Sequence, residues 1–157
     1  MGCGVAFLVG CGGKDYLCDA KPVQAGQCTT FWVDARKPWN PTNIEARRDE
    51  RYTFVVGPSV PPWKDWIIDS DPEFGWSWRR LGRLMQRNAR TTSAPMYSLV
   101  CAVGRVEEDA WVVASNAIVA PARTREGSVE CYANDWPSSF AYGNNSGCLR
   151  VVACRDL

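Results

Sequence analysis

Short runs of β-branched and aromatic residues, each cut off within a few positions by proline, glycine or asparagine, constrain this chain more than any other feature. Cys28–Asp34 (CTTFWVD) is one such run, and 51–56 alternates apolar and polar with period two. Lys37-Pro-Trp-Asn-Pro-Thr42 forms a turn cluster before a short strand at 43–47, and Gly57-Pro-Ser-Val-Pro-Pro62 breaks the chain before 63–68. Further strands are expected at 96–103, 110–115, 128–133 and 149–153. Many short strands with frequent turn signals predict an all-β fold, an antiparallel β-sandwich or jelly roll. A chain of 157 residues suits one such domain with a sizeable core.

One segment departs from this rhythm. Trp78, Leu81, Leu84 and Met85 recur at helical spacing, which predicts a short helix within 77–90, and Arg79, Arg80, Arg83, Arg87 and Arg90 make it basic. It could face an acidic partner or a membrane surface. The reading preferred from sequence is a helix packed on the sandwich with solvated arginines, because Gly82 weakens it and it is short. The acids Glu107, Glu108 and Asp109 could pair with it.

Eighteen basic and 17 acidic side chains nearly cancel, so nothing global points to nucleic acid or an anionic surface. There is no histidine. That excludes Ser-His-Asp and Cys-His catalysis and histidine-ligated zinc. Eight cysteines, at 3, 11, 18, 28, 101, 131, 148 and 154, lack zinc-like spacing and read as disulfides in an oxidising compartment. Cys18 with Cys28, and two pairs among the last four, is the expected pairing; buried free thiols are the alternative. In residues 1–24 the stretch Val5-Ala-Phe-Leu-Val-Gly-Cys11 resembles the end of a lipoprotein signal, with Leu8 to Cys11 as its lipobox, and reads equally as a first strand. No stretch approaches the roughly 20 apolar residues of a membrane span.

The chemistry concentrates in 132–147, between two strand-like segments. This loop holds one carboxylate, Asp135, and three carboxamides, Asn134, Asn144 and Asn145. Calcium takes several oxygens from carboxylates, amide carbonyls and main chain at relaxed geometry. The same composition also suits a polar hairpin connection, since Asn, Gly, Ser and Pro are turn residues.

Five segments occur in one order: Ala25-Gly-Gln27, Asp71-Pro-Glu-Phe-Gly75, Tyr97-Ser-Leu-Val-Cys-Ala-Val-Gly104, Asn134-Asp-Trp-Pro137 and Tyr142-Gly-Asn-Asn-Ser-Gly147. That order resembles the LecA-type bacterial lectins, which bind galactosides through calcium on a small β-sandwich. The resemblance implies a galactose-binding-like domain over 25–157. It implies that Asp135, Asn144 and Asn145 ligate calcium through side chains, and Ala141 and Trp66 through main-chain carbonyls. It places Asp71, Glu73 and Asn144 at the sugar, and Trp136, beside Asp135, is the best stacking candidate. Trp63 and Trp76 also fall near these loops, whereas Trp32 and Trp111 read as core.

Two departures matter. The loop from Asp135 to Asn144 is two residues longer than the family's, and Phe74 stands where the family uses a glutamine amide. Each lost neutral hydrogen bond costs about 0.5–1.5 kcal/mol, so galactose preference is not inherited.

The leading expectation is a calcium-dependent carbohydrate-binding module of a bacterial protein, secreted or anchored to the envelope, whose family often assembles as homo-oligomers. The alternative is a periplasmic lipoprotein that keeps the fold and binds a protein partner, masking it or inhibiting an effector. An enzyme is not expected. The acids Asp69, Asp71 and Glu73 could serve glycoside hydrolysis, but they cluster locally beside a turn proline.

Overall fold

The computed structural model describes Cys11 and residues 22–121 and 125–157. The strands are β1 (Cys28–Asp34), β2 (Asn40–Ala46), β3 (Tyr52–Ser59), β4 (Lys64–Asp65), β5 (Ile68–Asp71) and β6 (Gly75–Trp76), followed by β7 (Leu99–Val103) and β8 (Trp111–Val112). The chain continues through β9 (Ile118–Val119), β10 (Gly127–Ala133), β11 (Asn145–Ser146) and β12 (Cys148–Arg155). Helix α1 (Arg79–Met85) follows β6 and runs into a 3-10 turn (Gln86–Asn88), and α2 (Ser139–Gly143) lies between β10 and β11.

These strands form an antiparallel β-sandwich. One sheet has the order β1-β12-β3-β9 and the other β2-β10-β7-β8. Period-two alternation drives the assembly: Asn40, Thr42, Ile44 and Ala46 of β2 are buried while Pro41, Asn43 and Glu45 are not. Phe31 and Val33 of β1, Phe54 of β3, and Leu149 and Val151 of β12 meet Ile44, Leu99, Val103 and Val129 of the facing sheet in one core.

Strand β7 departs from alternation and is buried at every position. A second cluster covers its outer face, where Ala94, Val100 and Tyr132 pack with Trp39, Ala110 and Val112. The Arg90 guanidinium closes this cluster. It lies 3.9 Å from the Trp39 ring centroid and 4.1 Å from that of Tyr132, with Glu107 at 2.5 Å. Arg90 is therefore not one of the solvated arginines of the helical segment, and the acid at 107 is its partner.

Disulfides tie both sheets. Cys28–Cys154 and Cys101–Cys131 each join residues directly opposite in an antiparallel pair, and Cys11–Cys148 anchors residue 11 to the start of β12. The expected Cys18–Cys28 bond is replaced by Cys28–Cys154, and only one pair forms within the last four cysteines. The reason is register: directly opposed Cα atoms lie within disulfide reach, whereas closeness in sequence decides nothing. Cys18 and Cys3 lie outside the described residues, as does the lipobox-like stretch apart from Cys11. The Cys11 sulfur is bonded to Cys148, and one sulfur cannot hold a disulfide and a thioether lipid together.

A third, smaller sheet, β11-β4-β5-β6, sits at one end of the sandwich. The run 63–68, expected as a single strand, is split here by a turn at Trp66 and Ile67. Trp66 has φ 50°, a left-handed conformation that is uncommon for a bulky side chain, and the fold holds it at the tip of the β4–β5 hairpin. Trp63 is buried, with its indole Nε1 donating to the Tyr97 carbonyl at 3.0 Å. Gly147 packs so tightly on this ring that a Cβ there would lie 2.7 Å from it. Trp63 and Trp76 thus belong to the core rather than to a stacking surface. Trp111 packs half-buried against the core, and Trp32 is half-buried.

Candidate functional site

The third sheet and the 134–145 loop bring three polar side chains together below the surface. Asn145 of β11 stands directly opposite Asp65 of β4. Opposed residues of an antiparallel pair project to the same face with Cβ atoms about 5 Å apart. Asp135 approaches from the end of β10. All three are buried: Asp65 is 8 % exposed, Asp135 3 % and Asn145 5 %.

Their polar atoms are not fully used. The Asp135 Oδ1 accepts from the Trp136 backbone N–H at 2.7 Å, but its Oδ2 is buried without a hydrogen-bond partner. The Asn145 Nδ2 donates to the Ala35 carbonyl at 3.1 Å, which orients the amide and leaves its Oδ1 buried and unpartnered. Buried acceptors without donors are rare, because each costs its desolvation penalty. Burial, reinforced by the negative charge of Asp135, pushes the Asp65 carboxyl up to about 7; the Trp76 indole works against that rise. Burial also raises Asp135, opposed by the Trp136 amide and the neighbouring Asn145 side chain.

The frame around these groups is rigid. The Asn134 side chain accepts from Thr91 N at 2.8 Å and donates to the carbonyls of Thr91, Ala94 and Pro95. The Asp135 carbonyl accepts from Arg90 N at 2.9 Å. The Tyr97 hydroxyl donates to the carbonyl of Lys64 and lies 3.3 Å from that of Ser146, pinning the register partners of β4 and β11. Asn134, counted among the available carboxamides in the sequence, is thus a structural clamp.

The loop itself contains a helix that its composition did not reveal. Ser138 caps α2 by accepting from Ala141 N at 3.2 Å. The Ala141 carbonyl accepts from Asn144 N at 3.3 Å, and Trp66 N donates to the Asn144 carbonyl at 3.3 Å. The tip of the β4–β5 hairpin is therefore tied to the end of α2. Asn144 itself is exposed, and its side chain makes no hydrogen bond among the described residues. Around this site Trp66 is 72 % exposed, Phe140 84 % and Trp136 39 %.

Asp71 and Glu73 fall elsewhere. Asp71 lies three residues beyond Ile68, the partner of Asp65, or about 10 Å along β5. Its Oδ1 accepts from the backbone N–H groups of Glu73 and Phe74, so the carboxylate closes its own turn. Both acids line a depression with Gly57, Ser59, Pro62 and Phe74, and the residues around it do not include Asp135, Asn144 or Trp136. Asp69 pairs with Lys64 at 2.8 Å.

Asp65 is the site residue that sequence reasoning missed. No motif marks it. Its position is set by the β4–β11 pairing, which no local signal reports.

Among the described residues no group of three or more His, Cys, Asp or Glu could hold a metal ion. A cation at this site would take two carboxylates together with carboxamide and main-chain oxygens. That donor set consists of oxygen alone, as a hard cation such as calcium requires. Three disulfides point to an oxidising compartment, and no helix among the described residues is long and apolar enough to cross a membrane. Neither a scan against protein-family models nor a search of the curated proteins finds a match for this chain.

Proposed function

We propose that the protein is a calcium-dependent carbohydrate-binding module of LecA-like architecture that works in an oxidising, exported environment. The observation that carries this reading is the pair of buried, unpartnered oxygens, Asp135 Oδ2 and Asn145 Oδ1, beside a second buried carboxyl, Asp65. A divalent cation satisfies both oxygens and removes the repulsion between the carboxylates. Asn144 and the main-chain carbonyls of Ala141 and Trp66 complete the proposed shell.

Calcium supplies open positions that exchange water for vicinal hydroxyls, so a sugar diol would bind with little rearrangement. The chain's own residues decide which sugar. The exposed aromatic faces of Trp66, Phe140 and Trp136 suit the apolar face of a pyranose. Asp71 has one carboxylate oxygen committed to its turn, and Phe74 offers no amide. Contacts from that side are therefore fewer than the resemblance implies, and the ligand depends more on the metal and the aromatic rim.

A glycan array read with calcium and again with chelator tests the proposal. Chelator-sensitive binding to a defined glycan class supports it. Absence of binding on both arms removes the lectin reading and turns the search to a protein partner.

A further inference from the structure

Helix α1 carries a surface that neither the core nor the calcium site uses. Its only buried residue is Gly82, whose missing side chain lets the helix settle on Trp76 and Met96; a Cβ there would lie 3.6 Å from Trp76. Met85 is half-buried against the core, and the other side chains of the helix face outward. Phe74 is 61 % exposed, Trp78 51 %, Leu81 37 % and Leu84 71 %. Arg79, Arg80, Arg83 and Arg87 are exposed and form no ion pair with the described residues. Leu84 stands between Arg80, one turn before it, and Arg87, about one turn after.

Local helix energetics do not explain this composition. The N-cap Trp78 makes no side-chain capping bond, and the first turn contains no acid. Arg79 and Arg80 instead place positive charge at the positive end of the helix dipole. The guanidiniums of Arg79, Arg80, Arg83 and Arg87 also repel one another. An external anionic surface relieves this repulsion.

We propose that this face docks on an anionic lipid surface. Arginine guanidiniums match phosphate geometry. Tryptophan favours the headgroup level, and leucine and phenylalanine favour the apolar layer just beneath it. The interleaving of large apolar side chains with arginines distinguishes this surface from one built for a soluble polyanion, which offers no apolar medium to Leu84 or Phe74. The groove between the helix and Pro95–Met96, lined by Phe74, Trp76, Arg79 and Arg83, adds a basic-rimmed apolar recess beside the protruding residues. The chain as a whole carries a formal charge of only +1, so the attraction is local to α1 and fixes the orientation of the domain on the surface. The proposal stands apart from the calcium site, since none of these residues is a proposed ligand.

The test is sedimentation of the full chain with vesicles of phosphatidylcholine alone or mixed with phosphatidylglycerol, in chelator so that calcium cannot bridge protein to lipid. Expected are binding to the anionic vesicles only, weakening with salt, and a loss of more than about tenfold in Arg80→Glu/Arg87→Glu, since each basic residue near such a surface contributes roughly fivefold. Leu84→Ser should weaken binding several-fold with every charge intact. Near-ultraviolet circular dichroism checks that both variants stay folded. Equal binding to neutral vesicles, binding to neither, or variants that bind like the parent would overturn the proposal. Capture by soluble polyglutamate without vesicle binding would also overturn it and assign the face to an acidic protein.

Discussion

Asp65 stands directly opposite Asn145 across the β4–β11 pair, and its carboxyl is pushed up to about 7 by burial and by Asp135. Two buried carboxyls and an unpartnered amide oxygen make a poor core, because the arrangement costs desolvation and repulsion. On the proposed function a cation would offset both costs, so its occupancy should be readable as stability.

Calcium added to chelator-stripped protein should raise Tm in a saturable way, with magnesium far less effective. A ligand that binds only the folded state adds about 2.7 kcal/mol at a hundredfold excess over its Kd. Asp135→Asn and Asp65→Asn should each remove most of that shift. Differential scanning fluorimetry reads the result, and an unchanged shift in Asp65→Asn would remove Asp65 from the ligand set.

In chelator, stability should fall as pH rises from about 4 to about 7. The unfolded Asp65 loses its proton near 3.8, whereas the folded protein keeps it to about 7. The native state therefore binds more protons in this window, and raising the pH favours unfolding. The effect is on the order of a few kcal/mol, because each pH step between the unfolded and folded titrations contributes about 1.4 kcal/mol. Asp65→Asn should reduce the slope in urea titrations, and what remains belongs to Asp135, which burial also raises. Calcium should reverse it, because the ligand carboxylates must be deprotonated.

Trp136→Ala should weaken glycan binding about tenfold or less, the scale of one aromatic contact. The calcium-induced Tm shift should stay intact. Isothermal titration with sugar and with calcium separates the two effects; loss of calcium binding would mean that Trp136 acts by positioning Asp135.

Asn134→Ala should destabilise the protein by about 3 kcal/mol, because it strands the buried backbone groups of Thr91, Ala94 and Pro95. Urea unfolding measures this. A cost near zero would show that the 91–95 segment repacks without its clamp.

Serine replacement of Cys28 and Cys154 should cost about as much as replacement of Cys101 and Cys131, although the sequence separations are 126 and 30. With Cys11–Cys148 intact, Cys28 and Cys154 are already linked through that bond by a path of only about 23 residues, so the chain-entropy model gives about 3.5 kcal/mol for either pair. Equilibrium unfolding of the two double mutants tests this, and a much larger cost for the first pair would show that Cys11–Cys148 does not hold the unfolded chain.

Local chemistry carried the fold a long way. β-Branched and aromatic runs bounded by proline and glycine mark β1, β3, β10 and β12, and the helical spacing of Trp78, Leu81 and Leu84 marks α1. These signals lie within a few residues of chain, where steric preference and alternation act. The oxygen-rich loop around Asp135 and Asn145 was visible for the same reason, as a composition.

What lay outside reach was everything set by register. The left-handed turn at Trp66 folds β4 back on β5, and β4 pairs in turn with β11; that pairing puts Asp65 on the face of Asn145. The same long-range pairing joins Cys28 to Cys154 and draws Arg90 from a basic helix segment onto Trp39 and Tyr132. The sequence by itself determined where the long strands and helix α1 form and which oxygens are on offer. Only the tertiary structure decided which of them meet, because that depends on strand order and register, and these minimise the energy of the whole sandwich rather than of any one segment.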